Sequence, residues 1–467
     1  MSGSSHLWLG VTALQAFRQG IGTAGYNVAN AGRDGFSRRR VELGPLDAAH
    51  VRGGHTGLGV EVVSIRRERD VFLDFAVRRE MGRLSSDDAR TQVLSALEPL
   101  LGEVDGAPLQ GALSRLFDAF EALGAQADSI GVRLEVTAAA EGLASAIRRA
   151  NEQIGATRST VNQRVRDGVA RVNDILEQLA QNNAQQAQLE ADGSEASDLR
   201  DERDRLLDEL SSLIGARGII GEDGKVSVFV DSTGDTLLTG TAARELRLVA
   251  DSQGLDRIYL DRAGEPVDMS DMLRGGEIGG YLAMRDETLT TYAERVDTLA
   301  AAVIEQFNLL HQSGFDLDGA AGLALFEPDP PGADPAAAMR VNALIAADPR
   351  TLAAASAPGA PGDGGNANAF VDLRKATIAS LGDRRFTEFA ADFVAEIGRD
   401  TSTAEISRQA SQEIVSALET KRERVSGVSL DEEAAELVRW QQSFQAAARF
   451  MQVVNEVNDI ALQLLAR

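Results

Sequence analysis

LWLGVTALQAFRQGIGTAGYNVAN (residues 7–30) and LDEEAAELVRWQQSFQAAARFMQVVNEVNDIALQLL (residues 430–465) stand near opposite ends of the chain and read alike. In the first, Leu7, Leu14, Ile21 and Val28 recur every seven residues. In the second, Leu430, Leu437, Phe444 and Met451 form one such stripe, and Phe450, Val457 and Leu464 form another. Seven-residue spacing keeps an apolar seam on one side of a helix, the pattern of helices that pair in a coiled coil. The first helix also carries Gly10, Ala13, Gly20, Ala24, Gly25 and Ala29. Each glycine weakens an isolated helix by about 1 kcal/mol relative to alanine, so this helix needs close neighbours. The two ends therefore read as a paired, coiled-coil stalk with the rest of the chain inserted between them.

Working inward, Gly32 to Gly59 reads as a loop carrying Arg38, Arg39 and Arg40, and Val60 to Ile65 as a short strand. Helical patterning follows to Leu97, where Pro99 ends it, then over Leu113 to Leu123, and then along Leu143 to Leu179. Ser197 reads as the cap of a charged helix that ends near Leu213. From Gly215 the character changes. Turns at Gly221–Gly224 and Ser232–Asp235, with strand-like Lys225–Val230 and Arg257–Leu260, predict a small β domain. Helix resumes over Gly280–His311, and two Pro/Gly-rich stretches precede the final helices.

The fold class is thus mainly α with an inserted small β domain, a multidomain α+β chain. Residues 1–60 pair with 427–467. A helical domain takes 61–215 with 280–311 and 366–426. The β domain spans 216–275, and 312–365 is a loop-rich connection. The exposed turn at Asp223 is expected to tolerate an insertion.

Composition narrows the function. The 467 residues include 71 Asp and Glu against 47 Lys and Arg, a net charge of −24. Such a surface repels phosphate backbones and anionic lipid, so neither nucleic acid nor membrane is an expected partner. There is no cysteine, hence no disulfide, thiolate metal site or Cys nucleophile. The start lacks Lys or Arg before its apolar stretch and reads poorly as a secretory signal.

Candidate chemistry is thin. Gly20-Ile-Gly22-Thr-Ala-Gly25 matches G-x-G-x-x-G, but a dinucleotide site needs a strand before the glycines, and a helix precedes them here. Asp316-Leu-Asp318-Gly319 with Glu327 has the outline of a calcium loop. Ala320 and Ala321 stand where the fifth ligand and the glycine belong, so a turn is the reading. His6, His50, His55 and His311 form no zinc-peptidase motif. Asp198 to Leu210 reads as a solvated helix laced with weak ion pairs such as Asp201–Arg205. The expectation is a non-enzyme without cofactor or metal.

Particular motifs then resemble a known family. Ala13-Leu-Gln-Ala16, Asn27-Val-Ala-Asn30 and Gly35-Phe-Ser-Arg38 are similar to the N-terminal signature of the axial proteins of the bacterial flagellum. Ser426-Gly-Val-Ser-Leu-Asp-Glu-Glu433, with Leu437, Gln441-Gln442, Phe444 and Ala446, resembles the C-terminal end of the hook-associated protein 1 family. Leu199, Asp201, Arg203-Asp204 and Leu206 resemble an interior helix of that family. Gly279-Gly280, Phe307-Asn308, His311 and Gly314-Phe315-Asp316 resemble a later one, and Asn366, Ala369 and Leu373 the segment before the last helices. Ser429 with Glu432 makes a capping box in place of the family's asparagine.

The resemblance implies a structural subunit at the hook–filament junction: a homo-oligomeric ring with the hook protein on one side and a second junction protein on the other. It implies export by the flagellar type III pathway to the cell exterior, with an export chaperone on the C-terminal helix. The residues expected to carry assembly are Leu7, Leu14, Ile21, Asn27, Val28, Asn30, Gly35, Phe36, Ser37 and Arg38 at one end. At the other they are Leu430, Leu437, Trp440, Gln441, Phe444, Met451, Val457 and Leu464. Asn27 and Asn30 would bridge helix ends through their amides. The alternatives are another axial protein of hook or rod type, or a cytoplasmic helical adaptor.

Overall fold

The computed structural model describes residues 2–46, 49–51, 54–97, 100, 108–192, 195–221, 223–262, 264–327 and 334–465. Its first helix, α1 (Ser2–Asn30), packs along its last, α12 (Leu430–Leu465). Between them lies a helical body of α2 (Val71–Ser95), α3 (Pro108–Ala125), α4 (Ile130–Leu189), α5 (Ser197–Ile214), α6 (Gly276–Ala283) and α7 (Leu289–Ser313). Two short turns of helix follow, α8 (Pro335–Ala338) and α9 (Ala343–Ala347), then α10 (Gly365–Leu373) and α11 (Phe386–Ser426).

The axis of the body is α4. Its 60 residues extend about 90 Å at 1.5 Å per residue. Leu143, Ile147, Ile154, Val161, Val165, Val172, Leu176 and Leu179 bury one continuous row, and α3, α5, α6, α7 and the β domain pack on this helix. The few aromatic residues are concentrated rather than spread. Phe117, Phe120, Phe307, Phe326, Phe370 and Phe386 form one cluster, with Phe120 stacked on Phe370 at 3.9 Å between ring centres. It clamps α3, α7, α10 and the start of α11 together.

The β domain is an antiparallel meander in two sheets. β5 (Ala216–Ile220), β6 (Val226–Val230), β7 (Thr236–Thr239) and β8 (Ala242–Ala243) run in order in the first. In the second, β10 (Asp256–Arg262) lies between β9 (Leu246–Ala250) and β11 (Glu265–Asp268). Alternation sends Val226, Val228, Val230, Ile258 and Leu260 into the core. The domain leaves and rejoins the body through one neck. Gly215, left-handed at φ 59°, ends α5, and a methyl there would sit 3.0 Å from the Cα of Gly275. A π-helical turn, Met284–Thr288, joins α6 to α7 and buries Arg285. That side chain donates to Asn162 Oδ1 at 2.7 Å and to the Asp256 carbonyl at 2.8 Å, tying β10 to α4.

Three sequence expectations are corrected. Gly32–Gly59 is not simply loop: β1 (Arg39–Pro45) pairs antiparallel with β4 (Val60–Arg67), and β2 (Ala49–Val51) with β3 (Gly54–Thr56). A bulge at Glu42/Leu43 breaks the strict alternation and hides the strand pattern. Ser197 is the first helical residue of α5 and Ala196 its cap, because Glu190 reaches round to accept the Ala196 N–H at 2.8 Å. The Gly221–Gly224 turn is tied back to the helices: the Gly224 carbonyl accepts from Gln186 and Arg203, each at 3.3 Å. Pro99, named above as a helix stop, lies outside the described residues. Among the described residues, no helix is long and apolar enough to cross a membrane.

Candidate assembly site

The surface of α1 turned inward is built from small residues. Gly10, Ala16, Gly20 and Ala24 are buried, whereas Leu7, Leu14 and Ile21 are half-buried and Val28 is exposed. The heptad stripe is therefore not the contact face of α1. Large side chains of α12 fill the spaces the glycines leave. A methyl on Gly10 would run into Met451, and one on Gly20 would lie 2.5 Å from the Trp440 ring. Phe17 meets the same indole at 6.0 Å. On α12, Leu437, Trp440, Phe444 and Met451 are half-buried, while Leu430, Gln441 and Val457 are exposed. The side chain of Leu464 lies outside the described residues. Gly20 of the G-x-G-x-x-G run is thus a packing residue inside a continuous helix, and Gly22 and Gly25 face open space.

The end of α1 is clasped to α12 by polar groups. Asn27, 1% exposed, donates to the Arg39 carbonyl at 2.9 Å and to Glu433 Oε2 at 3.0 Å, and accepts the Arg39 N–H at 3.0 Å. Its amide is spent inside the chain. Among the described residues, Asn30 donates to the Tyr26 carbonyl of its own helix, so within the chain the two amides have separate partners. Arg38 Nε donates to Glu433 at 2.7 Å and Nη1 to Glu432 at 2.8 Å, while its N–H donates to the Ser426 carbonyl at 2.9 Å. Glu432 is thereby taken from the capping box, and Ser429 Oγ accepts the Glu432 N–H at a long 3.5 Å. Gly35, at φ 75°, supplies the reversal that lets Phe36 pack on Tyr26 at 5.8 Å and puts Ser37 Oγ 2.7 Å from Asp201.

Beneath this clasp the charged helix α5 turns one charged face inward. Arg203 and Asp204 are buried. Asp204 is held by Arg67 at 2.9 Å, Arg69 at 3.0 Å and Arg78 at 3.3 Å, with Arg203 beside it at 3.5 Å. Burial would raise its pKa, but Arg69, Arg203, Arg67 and Arg78 outweigh that and hold the carboxyl well below the ordinary range. Asp201 pairs with Arg67 at 2.7 Å, not with Arg205, which turns to Glu202 at 2.5 Å and Glu209 at 3.5 Å. The network continues from Arg78 to Asp208 at 2.7 Å and from Asp208 to Arg422 of α11 at 2.9 Å. The local signal was Arg67 and Arg69 flanking the end of a strand, but spacing along α5 cannot reveal partners more than a hundred residues away.

The remaining motifs place no reactive groups together. Asp316 accepts the N–H groups of Asp318 at 3.0 Å and Ala320 at 2.8 Å in a turn, Asp318 pairs with Arg350, and Glu327 pairs with Arg340 at 3.0 Å. Among the described residues, no group of three or more His, Asp or Glu is arranged to hold a metal ion. The described geometry joins helices.

Comparison with known proteins agrees with that geometry. The family model described as the flagellar hook-associated protein FlgK helical domain matches residues 94–326, and that of the flagellar basal body rod FlgEFG protein C-terminal matches residues 421–464. The chain belongs to the flagellar hook-associated protein family. It is 25% identical over 553 residues to flagellar hook-associated protein 1 of Salmonella typhimurium, covering 98% of this chain and 99% of that one. It is 26% identical over 486 residues to flagellar hook-associated protein 1 of Bacillus subtilis, covering 96% and 95%. Among solved structures, the flagellar hook junction protein FlgK from Burkholderia pseudomallei shares the fold, with a TM-score of 0.65 at 18% identity over 76% of this chain and 100% of that one. In this family member the α1–α12 pair, the Gly35–Arg38 turn and α5 form one joint.

Proposed function

We propose that this chain is a structural subunit of the bacterial flagellum, forming the junction between hook and filament, and that it assembles through its terminal helices. The outer face of α12 carries the reading. Val453, Val457 and Ile460 follow one another at spacings of four and three, and all are exposed, Val457 by 58%. Apolar area left in water costs about 25 cal/mol per Å² relative to burial. A stripe with this spacing is half of a helical seam. Trp8 adds an exposed indole on α1. Leu7, Leu14, Ile21 and Val28 of α1, with Leu430, Gln441 and Val457 of α12, face neighbouring subunits. Asn27, Gly35–Arg38, Leu437, Trp440, Phe444 and Met451 keep the pair in register.

In this reading the subunits close a homo-oligomeric ring between the hook protein and a second junction protein. The chain reaches the cell exterior by the flagellar type III route, and an export chaperone covers α12 beforehand. Its role is structural, not catalytic. A hook or rod subunit shares the terminal helices, but residues 94–326 match the helical body of hook-associated proteins, which favours the junction.

The test is to label the protein on flagella of a strain that makes hooks without filament, and to repeat it with Val457→Asp/Ile460→Asp. Label at hook tips, lost in the double variant while the monomer stays folded, is the expected result. No label on hooks would overturn the location; full retention of the variant would overturn the assembly face.

A further inference from the structure

One flank of the helical body carries an open groove of about 1070 Å³ between α2 and strand β5. Its apolar end is shared by Val71, Phe72 and Phe75 of α2 with Ile219 and Ile220 of β5. All five are exposed, Phe72 by 88%. Further along the same face of α2 stand Arg79, Arg83 and Arg90. Among the described residues, no carboxylate pairs with Arg83 or Arg90, and Arg79 has only the adjacent Glu80 at 3.3 Å. They give this face a positive character in a chain of net charge −24.

Strand β5 is also the open edge of its sheet. Asp231 N–H donates to the Gly215 carbonyl and Gly221 N–H to the Lys225 carbonyl. The hydrogen-bonded pairs of β5 with β6 therefore fall on its odd-numbered residues, and Gly218 and Ile220 turn their backbone groups away from β6. An edge with exposed isoleucines is a template for docking unless something covers it.

We propose that this groove is the lateral docking surface for a second copy of the chain. The inference rests on the reading of the protein as a ring subunit. Charge selects the occupant: with 71 acidic against 47 basic residues, the outward surface of another copy is predominantly acidic and complements the groove. The two phenylalanines supply the desolvated anchor. A groove that receives a different face of the next copy makes a heterologous contact, and such contacts build rings where the rotation between copies closes.

The test uses the full chain in flagellated cells, with a benzophenone photocrosslinker in place of Phe72 and, in a separate strain, in place of Val457. The expected Phe72 adduct has twice the chain mass and yields peptides of this protein alone. Phe72→Asp/Phe75→Asp should leave the denaturation midpoint of the monomer unchanged, since both side chains are exposed, and reduce recovery in the flagellar fraction by about tenfold. An adduct to a different protein overturns the proposal. So does the absence of a Phe72 adduct where Val457 still crosslinks to a second copy, or full recovery of the double variant; each of these leaves the ring reading intact. Absence of the chain from the flagellar fraction overturns both.

Discussion

Asn183 of α4 holds Val226 of β6 by both of its backbone groups: the amide donates to the Val226 carbonyl at 2.8 Å, and the Val226 N–H donates to Asn183 Oδ1 at 2.9 Å. Asn173 treats Leu246 in the same way, both bonds 2.9 Å, and Asn308 treats Phe326 so at 2.9 and 2.8 Å. Asn27 does it to Arg39. A carboxamide offers the donor–acceptor pair of a neighbouring strand, so helices here stand in for sheet partners.

Replacing Asn183 by Leu should therefore expose the cost of unpaired peptide groups. Val226 would lose both partners and the Gly240 carbonyl its donor. At about 1–3 kcal/mol for each stranded buried group, a loss of about 3 kcal/mol or more is expected in chemical denaturation. Gln188→Ala, at an exposed position of the same helix, should change stability little.

Asp204 is the charge on which Arg67, Arg69, Arg78 and Arg203 converge. Asp204→Asn keeps the shape and removes the charge, which should cost about 3–5 kcal/mol, the usual penalty for breaking a buried pair. The folded carboxyl has a lowered pKa, so its contribution is complete above the ordinary carboxylate range and is lost as pH falls below it. The stability gap between wild type and variant should accordingly narrow below about pH 4.

His311 titrates in the same direction for a different reason. It is fully buried, with Nδ1 donating to the Leu323 carbonyl at 2.6 Å and Nε2 accepting the Ala353 N–H at 3.0 Å. Burial lowers its pKa from 6.5 to about 4. The unfolded chain then takes up the proton first, so stability is full above about pH 6.5 and falls by about 3 kcal/mol as pH approaches 4. In an NMR titration the His311 ring should stay neutral down to about pH 5; a midpoint near 6.5 would remove this explanation.

The sequence made the long elements legible because their signals are local. The apolar rows of α4 and α12 repeat along each helix, and the β domain announces itself through turns and alternating valines. What stayed hidden was pairing across distance. Nothing around Asp198–Leu210 says that Arg67 and Arg78 will arrive to bury Asp204, so the charge density looked like solvent exposure. Asn27 and Asn30 looked equivalent by spacing, but only Asn27 faces the backbone of Arg39. On α1 the heptad leucines drew attention, yet the glycines decide the contact, because a close approach by Trp440 and Met451 needs absent side chains more than large ones.

The tolerance of the β domain to insertion follows from the same distinction. The turn at Asp223 is anchored through Gly224 to Gln186 and Arg203, so an epitope placed there should disturb the α4–α5 contact. The turn Asp251–Leu255 is exposed at Ser252, Gln253 and Gly254, and the contact of Gln253 with Arg158 of α4, at 3.2 Å, is a side-chain bond at the surface. An epitope after Ser252 should leave folding and assembly intact, judged by denaturation midpoint and motility.

The two faces of α12 should separate by substitution. Phe444 is half-buried on the side of α12 turned to α1, in line with Trp440 and Met451, whereas Val457 lies on the open side. Aspartate at 444 places a charge where α1 and α12 must exclude water, at a cost of several kcal/mol. Phe444→Asp should thus loosen the pair within the monomer, seen as faster amide exchange in α1, and abolish motility as a consequence. Val457→Asp adds charge to a side chain already in water. Its monomer should exchange like wild type, while motility is lost because the stripe no longer accepts a neighbouring helix. Loss of α1 protection in both variants would mean that one surface serves folding and assembly together. Normal motility in Val457→Asp would remove the open stripe from the assembly contact and leave the Leu7, Leu14, Ile21 and Val28 stripe of α1 to explain it.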